Sequence, residues 1–406
     1  MNNTKVEVAD IFRKHIGDYL EIYKMPQEHY EVVSDIIGCR TEWLGGHLQR
    51  CDCCGAEIPM YNSCRNRHCP KCQSMVKERW LEKRKSEVLP VKYFHNVFTL
   101  PHEINPIVLC NKKVMINILF RSVSETLIQF GYNPENGLGG KLGFMAFLHT
   151  WDQKILGHYH VHCIIPAGAL GKNGEKWIEC KYDYIFPERA LSKVFRGKFM
   201  DYFKQAYKKG ELIFPGNTEK FGTSSGFYQL KNILWSKNWV VDVEPPLENP
   251  DYVIEYLGRY THRVAISNHR ILDLSDGKVT FSYKNRKKGT IEPLRIDAVE
   301  FIRRFLLHVL PKGLMRIRYY GFLANRCKRD NLAKCREFLG APRYEQVSEN
   351  KTVREIMLDK TGRDITKCPF CKKGTMFVVS GIGLHTGVAP YDIIHAKRDY
   401  KRIQRE

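Results

Sequence analysis

The 406-residue chain has no apolar run approaching the roughly 20 residues of a membrane-spanning helix. Its opening stretch, MNNTKVEVADIF, has neither the basic nor the apolar segment of a secretory leader. These absences predict a cytoplasmic protein. There is no GxxxxGK[ST] phosphate loop, so any helicase activity has to come from another protein. Internal repeats and long low-complexity linkers are also missing, and the length suits two or three domains. Negative charge is scarce: 44 Asp and Glu stand against 65 Lys and Arg, a net charge of +21 with pI near 9.3. Such an excess calls for a polyanionic partner. With no spanning segment, nucleic acid is favoured over an anionic membrane surface.

What the chain does have is cysteine, and it is unevenly spread. Seven of fourteen cysteines fall between Cys39 and Cys72. Without a leader they read as metal ligands in a reducing compartment rather than as disulfides. Cys51 with Cys54, followed by Gly55, and Cys69 with Cys72 have the spacing of two zinc knuckles, which together predict a four-cysteine site. Cys53 is a spare thiol that could displace Cys51. Cys39, His47, Cys64 and His68 are left over and could form a second, interleaved site. Four protein ligands leave no open position, so the zinc is expected to be structural. Arg65, Arg67, Lys71, Lys77 and Arg79 surround or follow the cysteines, which suits phosphate contact. An ordinary charged helix face would read the same way around Lys77–Lys85.

Further along, strands are expected over 91–100, 142–151 and 239–246, and at VAISNHRIL and KVTFSYKN. Helices are expected over 106–130, near 188–209, at DYVIEYLGRYTHR and at DAVEFIRRFLLHVL. Strands mixed with irregularly placed helices imply an α+β fold on an antiparallel sheet. The expected domains are residues 1–90, 91–310 and 311–406.

Two constellations carry the chemistry. In GHYHVHCIIPAG, His158, His160 and His162 alternate, which puts three rings on one face of a strand. They form either a satisfied polar ladder or a metal site. In DYVIEYLGRYTHR, Tyr252, Tyr256 and Tyr260 recur every four residues, one face of a helix. That pattern also fits an aromatic core stripe, but Arg259, His262 and Arg263 crowd the same turn. A phenol can attack a phosphodiester where cations and a metal neutralise the phosphate.

HVH followed by a downstream YxxxY resembles the HUH endonucleases, where U is a hydrophobic residue. More narrowly, the chain resembles the two-tyrosine rolling-circle transposases of the insertion sequence ninety-one family. The motifs run in order through CRT…LGGH…CxxCG…YNSCRNRHCPKCQ, FLHTWDQ, HYHVHCIIPAG, EYLGRYTHRVAISNHRI, FSYKNRKKG, EFIRRFLLHVLPKGLMRIRYYGFLANRCK and a late CPFC followed by GTM. The resemblance implies an HUH nuclease domain behind a zinc-ribbon-like N-terminal domain. It implies that His160 and His162 bind magnesium or manganese and that Tyr256 and Tyr260 are the nucleophiles, leaving Tyr252 structural. Tyr159 stands where the family often has proline, which leaves the role of His158 open. By position Gln153, with Asp152 as substitute, is the candidate third ligand. The implied reaction is cleavage and rejoining of single-stranded DNA at transposon ends and target through a 5′-phosphotyrosine, with host helicase and replication machinery as partners.

The last third holds Lys312, Arg316, Arg318, Arg326, Lys328, Arg329, Lys334 and Arg336 among Tyr319, Tyr320 and Phe322. This suits a single-strand-binding surface, with Arg326, Lys328 and Arg329 as contacts, or a solvated helix with core aromatics. Cys368 and Cys371 form one more knuckle, with Cys327, Cys335, His385 or His395 as candidate partners. Two alternatives to the transposase are a catalytically silent zinc-dependent DNA-binding regulator and a plasmid-type rolling-circle replication initiator.

Overall fold

The structure, a computed structural model, describes residues 6–135, 138–260, 264–342 and 351–384; the side chains of residues 250, 251, 259 and 260 are outside that description. Its centre is a five-stranded antiparallel sheet, the α+β arrangement the sequence implies. The order is Ile317–Gly321, Gly143–Trp151, Gly157–Pro166, Tyr93–Thr99 and Val241–Leu247. Val241–Leu247 contains Pro245 and Pro246, which cannot donate to a ladder, and it lies at the sheet's edge.

The strand period of two divides this sheet into two unlike faces. Phe94, Phe98, Phe144, Ala146, Leu148, Val161, Cys163 and Ile165 bury one face beneath the helices Lys112–Tyr132 and Glu188–Lys208. Tyr159 belongs to this apolar side and is 2 % exposed. The other face carries His95, His149, His160 and His162. The expected helix over 106–130 is two helices, Asn105–Cys110 and Lys112–Tyr132. Asn111 makes the break: its side-chain amide donates to the carbonyls of Ile107 and Ile213 and accepts from the Ile213 N–H.

VAISNHRIL is mostly irregular, and only its last two residues enter the strand Ile271–Ser275. A 3-10 turn at Asn268–Arg270 precedes that strand, with the Asn268 amide oxygen accepting from the Val8 N–H. Ile271–Ser275, Lys278–Lys284 and Ile291–Asp297 form a three-stranded meander. The helix Ala298–Leu307 packs from there onto Val8–Ile22, Phe305 meeting Phe12 edge to face at 5.2 Å.

Chain segments far apart in sequence share one further sheet. Gly46–Cys51 pairs on one side with Glu57–Tyr61 and on the other with Met376–Ile382. This sheet therefore joins the 1–90 and 311–406 segments.

Candidate active site and metal centres

Three imidazoles meet on the polar face of the central sheet. Alternation turns His160 and His162 to the same side, and the register sets His149 directly opposite His160. One nitrogen from each ring lies within 4.8 Å of the others, and all three rings are buried. The third member of the cluster is His149, not Gln153. Gln153 lies past the end of its strand, in the connecting turn. There its side-chain oxygen accepts from the Lys284 N–H at 3.4 Å and its carbonyl from Arg270. Asp152 caps the same turn by accepting from the N–H groups of Lys154 and Leu156. His158 stands at the rim, stacked on His102 at 5.3 Å, outside the triad.

Neighbouring hydrogen bonds fix how these rings present themselves. His160 donates Nδ1–H to the His158 carbonyl at 2.8 Å, which turns the Nε2 lone pair outward. His162 Nδ1 lies 2.8 Å from His95 Nε2, and His95 Nδ1 lies 2.8 Å from a Glu244 oxygen. An ionised Glu244 accepts from His95 Nδ1–H, so His95 Nε2 accepts from His162 Nδ1–H and His162 keeps its Nε2 lone pair for a ligand. Outer partners of this kind orient metal-binding imidazoles and raise their basicity. Burial, reinforced by His149 and His158, pushes the His160 pKa well below the usual histidine range, so the ring is neutral at pH 7.

The helix Pro250–Tyr260 brings a phenol to the same network. Val253 and Leu257 are buried against Leu81 and its neighbours, which seats the helix on Pro70–Lys85. Tyr256, beside them and packed at the edge of the same apolar cluster, has its hydroxyl 2.5 Å from Glu244 Oε2 and 2.5 Å from His95 Nδ1. Tyr252 is 62 % exposed, so it is not a packing residue. Tyr260 closes the helix one turn beyond Tyr256; its side chain and that of Arg259 lie outside the description, and His262 and Arg263 lie outside the described residues.

Sequence reasoning missed His149, His95, Glu244 and Arg286. The first three were hidden because only sheet register brings them to the HVH strand. A signal for His149 was available, since it sits at the strand period inside FLHTW. Arg286, exposed in the turn before Ile291–Asp297, carries a charge that acts on His158, His160, Asp242 and Glu244.

The cysteines sort differently from the expected sets. One cluster is Cys39, Cys64, Cys69 and Cys72; the other is Cys51, Cys54, Cys368 and Cys371. Cys51 and Cys54 therefore do not join Cys69 and Cys72. The reason is the hairpin Gly46–Cys51/Glu57–Tyr61, whose strands of five or six residues reach about 17–20 Å. Cys51 and Cys54 sit at its tip, while Cys39 and Cys64 flank its base beside Cys69, the N-cap of Pro70–Lys85. His47 and His68 are in neither cluster. His47 contacts the Gln49 amide, and buried His68 accepts from the Leu310 N–H. Exposed Cys53 is outside both sets. Cys327 donates to the carbonyls of Gly321 and Ala324, and Cys335 is buried in the apolar core, so neither partners Cys368. His385 and His395 lie outside the described residues.

Several expected DNA contacts are engaged elsewhere. Arg67 donates to the carbonyls of Leu310, Pro311 and Leu314, and Lys328 is paired with Glu87 at 2.7 Å above the Tyr319 ring. Arg316 donates to Gln73, and Arg336 to the carbonyls of Ser86 and Val88. Arg65, Arg326 and Arg329 are exposed, as are Lys284, Lys287 and Lys288 beside Arg286. No described helix is long and apolar enough to cross a membrane.

Comparison with known proteins places these features in one lineage. The family model of a transposase zinc-binding domain, named for insertion sequence ninety-one, matches residues 11–100, and a model described as "Putative transposase" matches residues 143–331. The "Putative transposase y4qJ" of Sinorhizobium fredii is 42% identical over 92% of this chain and 94% of its own length. The transposase for insertion sequence element IS801 of Pseudomonas savastanoi pv. phaseolicola is 26% identical over 76% of this chain and 73% of its own. Among solved structures, a metal-bound conjugative relaxase TrwC in complex with oriT DNA is 14% identical over 43% of this chain and 72% of that one. The TM-score of that pair is 0.22. The chain belongs to the insertion sequence ninety-one family of transposases, enzymes that cut and rejoin DNA.

Proposed function

We propose that this transposase cleaves single-stranded DNA with Tyr256 as nucleophile at a divalent-metal site formed by His149, His160 and His162. The observation that carries this is the unbroken contact from the Tyr256 hydroxyl through His95 to His162. The residues fit a metal: three buried imidazole nitrogens converge, and two of the rings have their second nitrogen engaged in a hydrogen bond. Of magnesium and manganese, the two ions the resemblance implies, manganese is the better match for an all-imidazole set, because it is the one that is a first-row transition ion. The ion would draw charge from a non-bridging phosphate oxygen.

The rest of the chemistry belongs to the chain. Tyr256 gives its proton to Glu244, and the phenolate attacks phosphorus. The bond to the 3′ oxygen breaks, and that oxygen takes up a proton to become a free hydroxyl. The 5′-phosphotyrosine keeps the bond energy, so the hydroxyl can reverse the step without a nucleotide cofactor. Arg286 is suited to hold the phosphate, because its charge already acts on this pocket. Tyr260, four residues further along the same helix, is the candidate for a second cleavage at the target. Unwinding is assigned to a host helicase. A structural zinc bound by Cys39, Cys64, Cys69 and Cys72 anchors the helix that seats the tyrosine helix.

The test is adduct formation. A single-stranded oligonucleotide carrying the element's end should become attached to the protein with manganese present and survive denaturation. His160→Ala or His162→Ala should nearly abolish the adduct while binding persists. Tyr256→Phe together with Tyr260→Phe should remove it entirely. An adduct formed by that double variant would show the nucleophile to be elsewhere.

A further inference from the structure

The two Cys-x-x-Cys turns of the second cluster are more than 300 residues apart in the chain, yet they are built alike. Cys51 Sγ lies 3.7 Å from Cys371 Sγ, and Cys54 Sγ lies 3.7 Å from Cys368 Sγ. All four sulfurs are within 4.8 Å of one another. A tetrahedron with zinc–sulfur bonds of about 2.3 Å has sulfur–sulfur edges of about 3.8 Å. The four thiols therefore already stand at the spacing a zinc ion imposes, and are too far apart for disulfides.

The surrounding backbone repeats the match. In the first turn the N–H of Gly55 donates to the Cys51 carbonyl; in the second the N–H of Lys372 donates to the Cys368 carbonyl. Gly55 and Lys372 occupy the same place in their turns, and both have left-handed backbone, φ 72° and 62°. Lysine rarely adopts that conformation, so it stands here because the turn demands it. The N–H groups of Cys53 and Cys54 point at Cys51 Sγ, and that of Gly374 points at Cys371 Sγ. Such donors stabilise thiolate charge. A Cβ on Gly374 would lie 2.4 Å from Cys51 Sγ, so only glycine permits the approach of the two turns. Asp52 and Thr375 then tie them together, the Asp52 N–H donating to the Thr375 carbonyl and the Thr375 N–H to the Asp52 carboxylate at 2.8 Å.

We infer that Cys51, Cys54, Cys368 and Cys371 bind a second structural zinc, completing a zinc ribbon from the two distant parts of the chain. The matched zinc-binding domain at residues 11–100 supplies only half of this centre. The other half comes from the segment beyond the nuclease sheet, which the ion staples back through the pairing of Gly46–Cys51 with Met376–Ile382. The staple closes a loop of more than 300 residues, a large entropy that the free chain would otherwise keep. The inference is independent of the nucleophile assignment.

The experiment uses the full-length protein. Cobalt-substituted protein should show sulfur-to-cobalt charge transfer, a band to which the histidine triad contributes nothing. Cys368→Ser with Cys371→Ser should halve that intensity and remove one zinc per chain. Full intensity in the double variant would overturn the assignment. Should the variant fail to fold, the unmodified protein still decides. Under alkylation Cys53 should react at once, whereas Cys51, Cys54, Cys368 and Cys371 should resist until chelator is added and then react together. Early alkylation of Cys368 and Cys371, with Cys51 and Cys54 still protected, would refute a shared ion.

Discussion

At the scale of single residues, the site depends on a carboxylate that no motif announces. The hydrogen bond from His95 holds the Glu244 carboxyl below its ordinary value against the opposing effect of burial, and the Tyr256 hydroxyl adds to it. Glu244 is thus ionised, and able to accept a proton, at any pH above about 4.5. Glu244→Gln keeps the shape but removes the charge. Adduct formation should slow by roughly 10²- to 10⁴-fold, the usual worth of a positioned base, with DNA affinity unchanged. In the unaltered protein the rate's dependence on Glu244 should be flat at neutral pH and should fall as pH drops through the depressed value. A Glu244→Gln rate equal to that of the parent would remove Glu244 from proton transfer. The alternation of His160 and His162 was legible because neighbouring residues of one strand decide it. Glu244 was not, because it reaches the site only across two strand pairings.

At the scale of elements, exposed charge and engaged charge have to be separated. The helix Lys328–Phe338 and the turn before it read as a run of cations, but Lys328 is engaged by Glu87 while Arg326 and Arg329 face solvent. Replacing Arg326 and Arg329 with alanine should reduce the slope of log affinity against log salt by about 1.4, if each neutralises one phosphate of a single strand. Lys328→Ala should leave the slope alone and cost only roughly 0.5–1.5 kcal/mol of stability, since Glu87 keeps Arg84 as a partner. Titrations at several salt concentrations with melts of the same variants separate the two effects; a slope unchanged by the arginine pair would take this segment off the binding surface. The strand Ile291–Asp297 eluded sequence reasoning for a related reason. Pro293 argues against a strand, and it is tolerated because the strand is an edge of its meander.

At the scale of the whole molecule, the fold should be sensitive to acid. His308 is 4 % exposed, accepts from the Thr150 hydroxyl at Nδ1, and donates Nε2–H to the Ile155 carbonyl. Burial lowers its pKa to about 4. An unfolded chain takes up this proton below about pH 6.5, the folded one only near 4. Its contribution to stability is therefore fully present above 6.5 and lost as pH falls toward 4, amounting to roughly 3 kcal/mol. Melting temperatures between pH 7.5 and 4.5 should fall accordingly, and less steeply in His308→Gln. Equal slopes in the two proteins would show that His308 is not a source of the acid sensitivity.

The sequence alone determined the parts of this protein that short-range geometry controls. Two histidines at a strand's period, tyrosines at a helix's period and cysteines at the spacing of a knuckle each depend on residues within a turn or two. The charge balance likewise named a polyanion without any fold. Tertiary structure decided which parts meet. The register of two strands brought His149 to the other two imidazoles and left Gln153 in the connecting turn; a hairpin's length parted Cys51 and Cys54 from Cys69 and Cys72; and the return of Met376–Ile382 to Gly46–Cys51 gave those first cysteines their partners. Pairings of that kind depend on how strands align and chain segments return, and no local pattern of residues records the outcome.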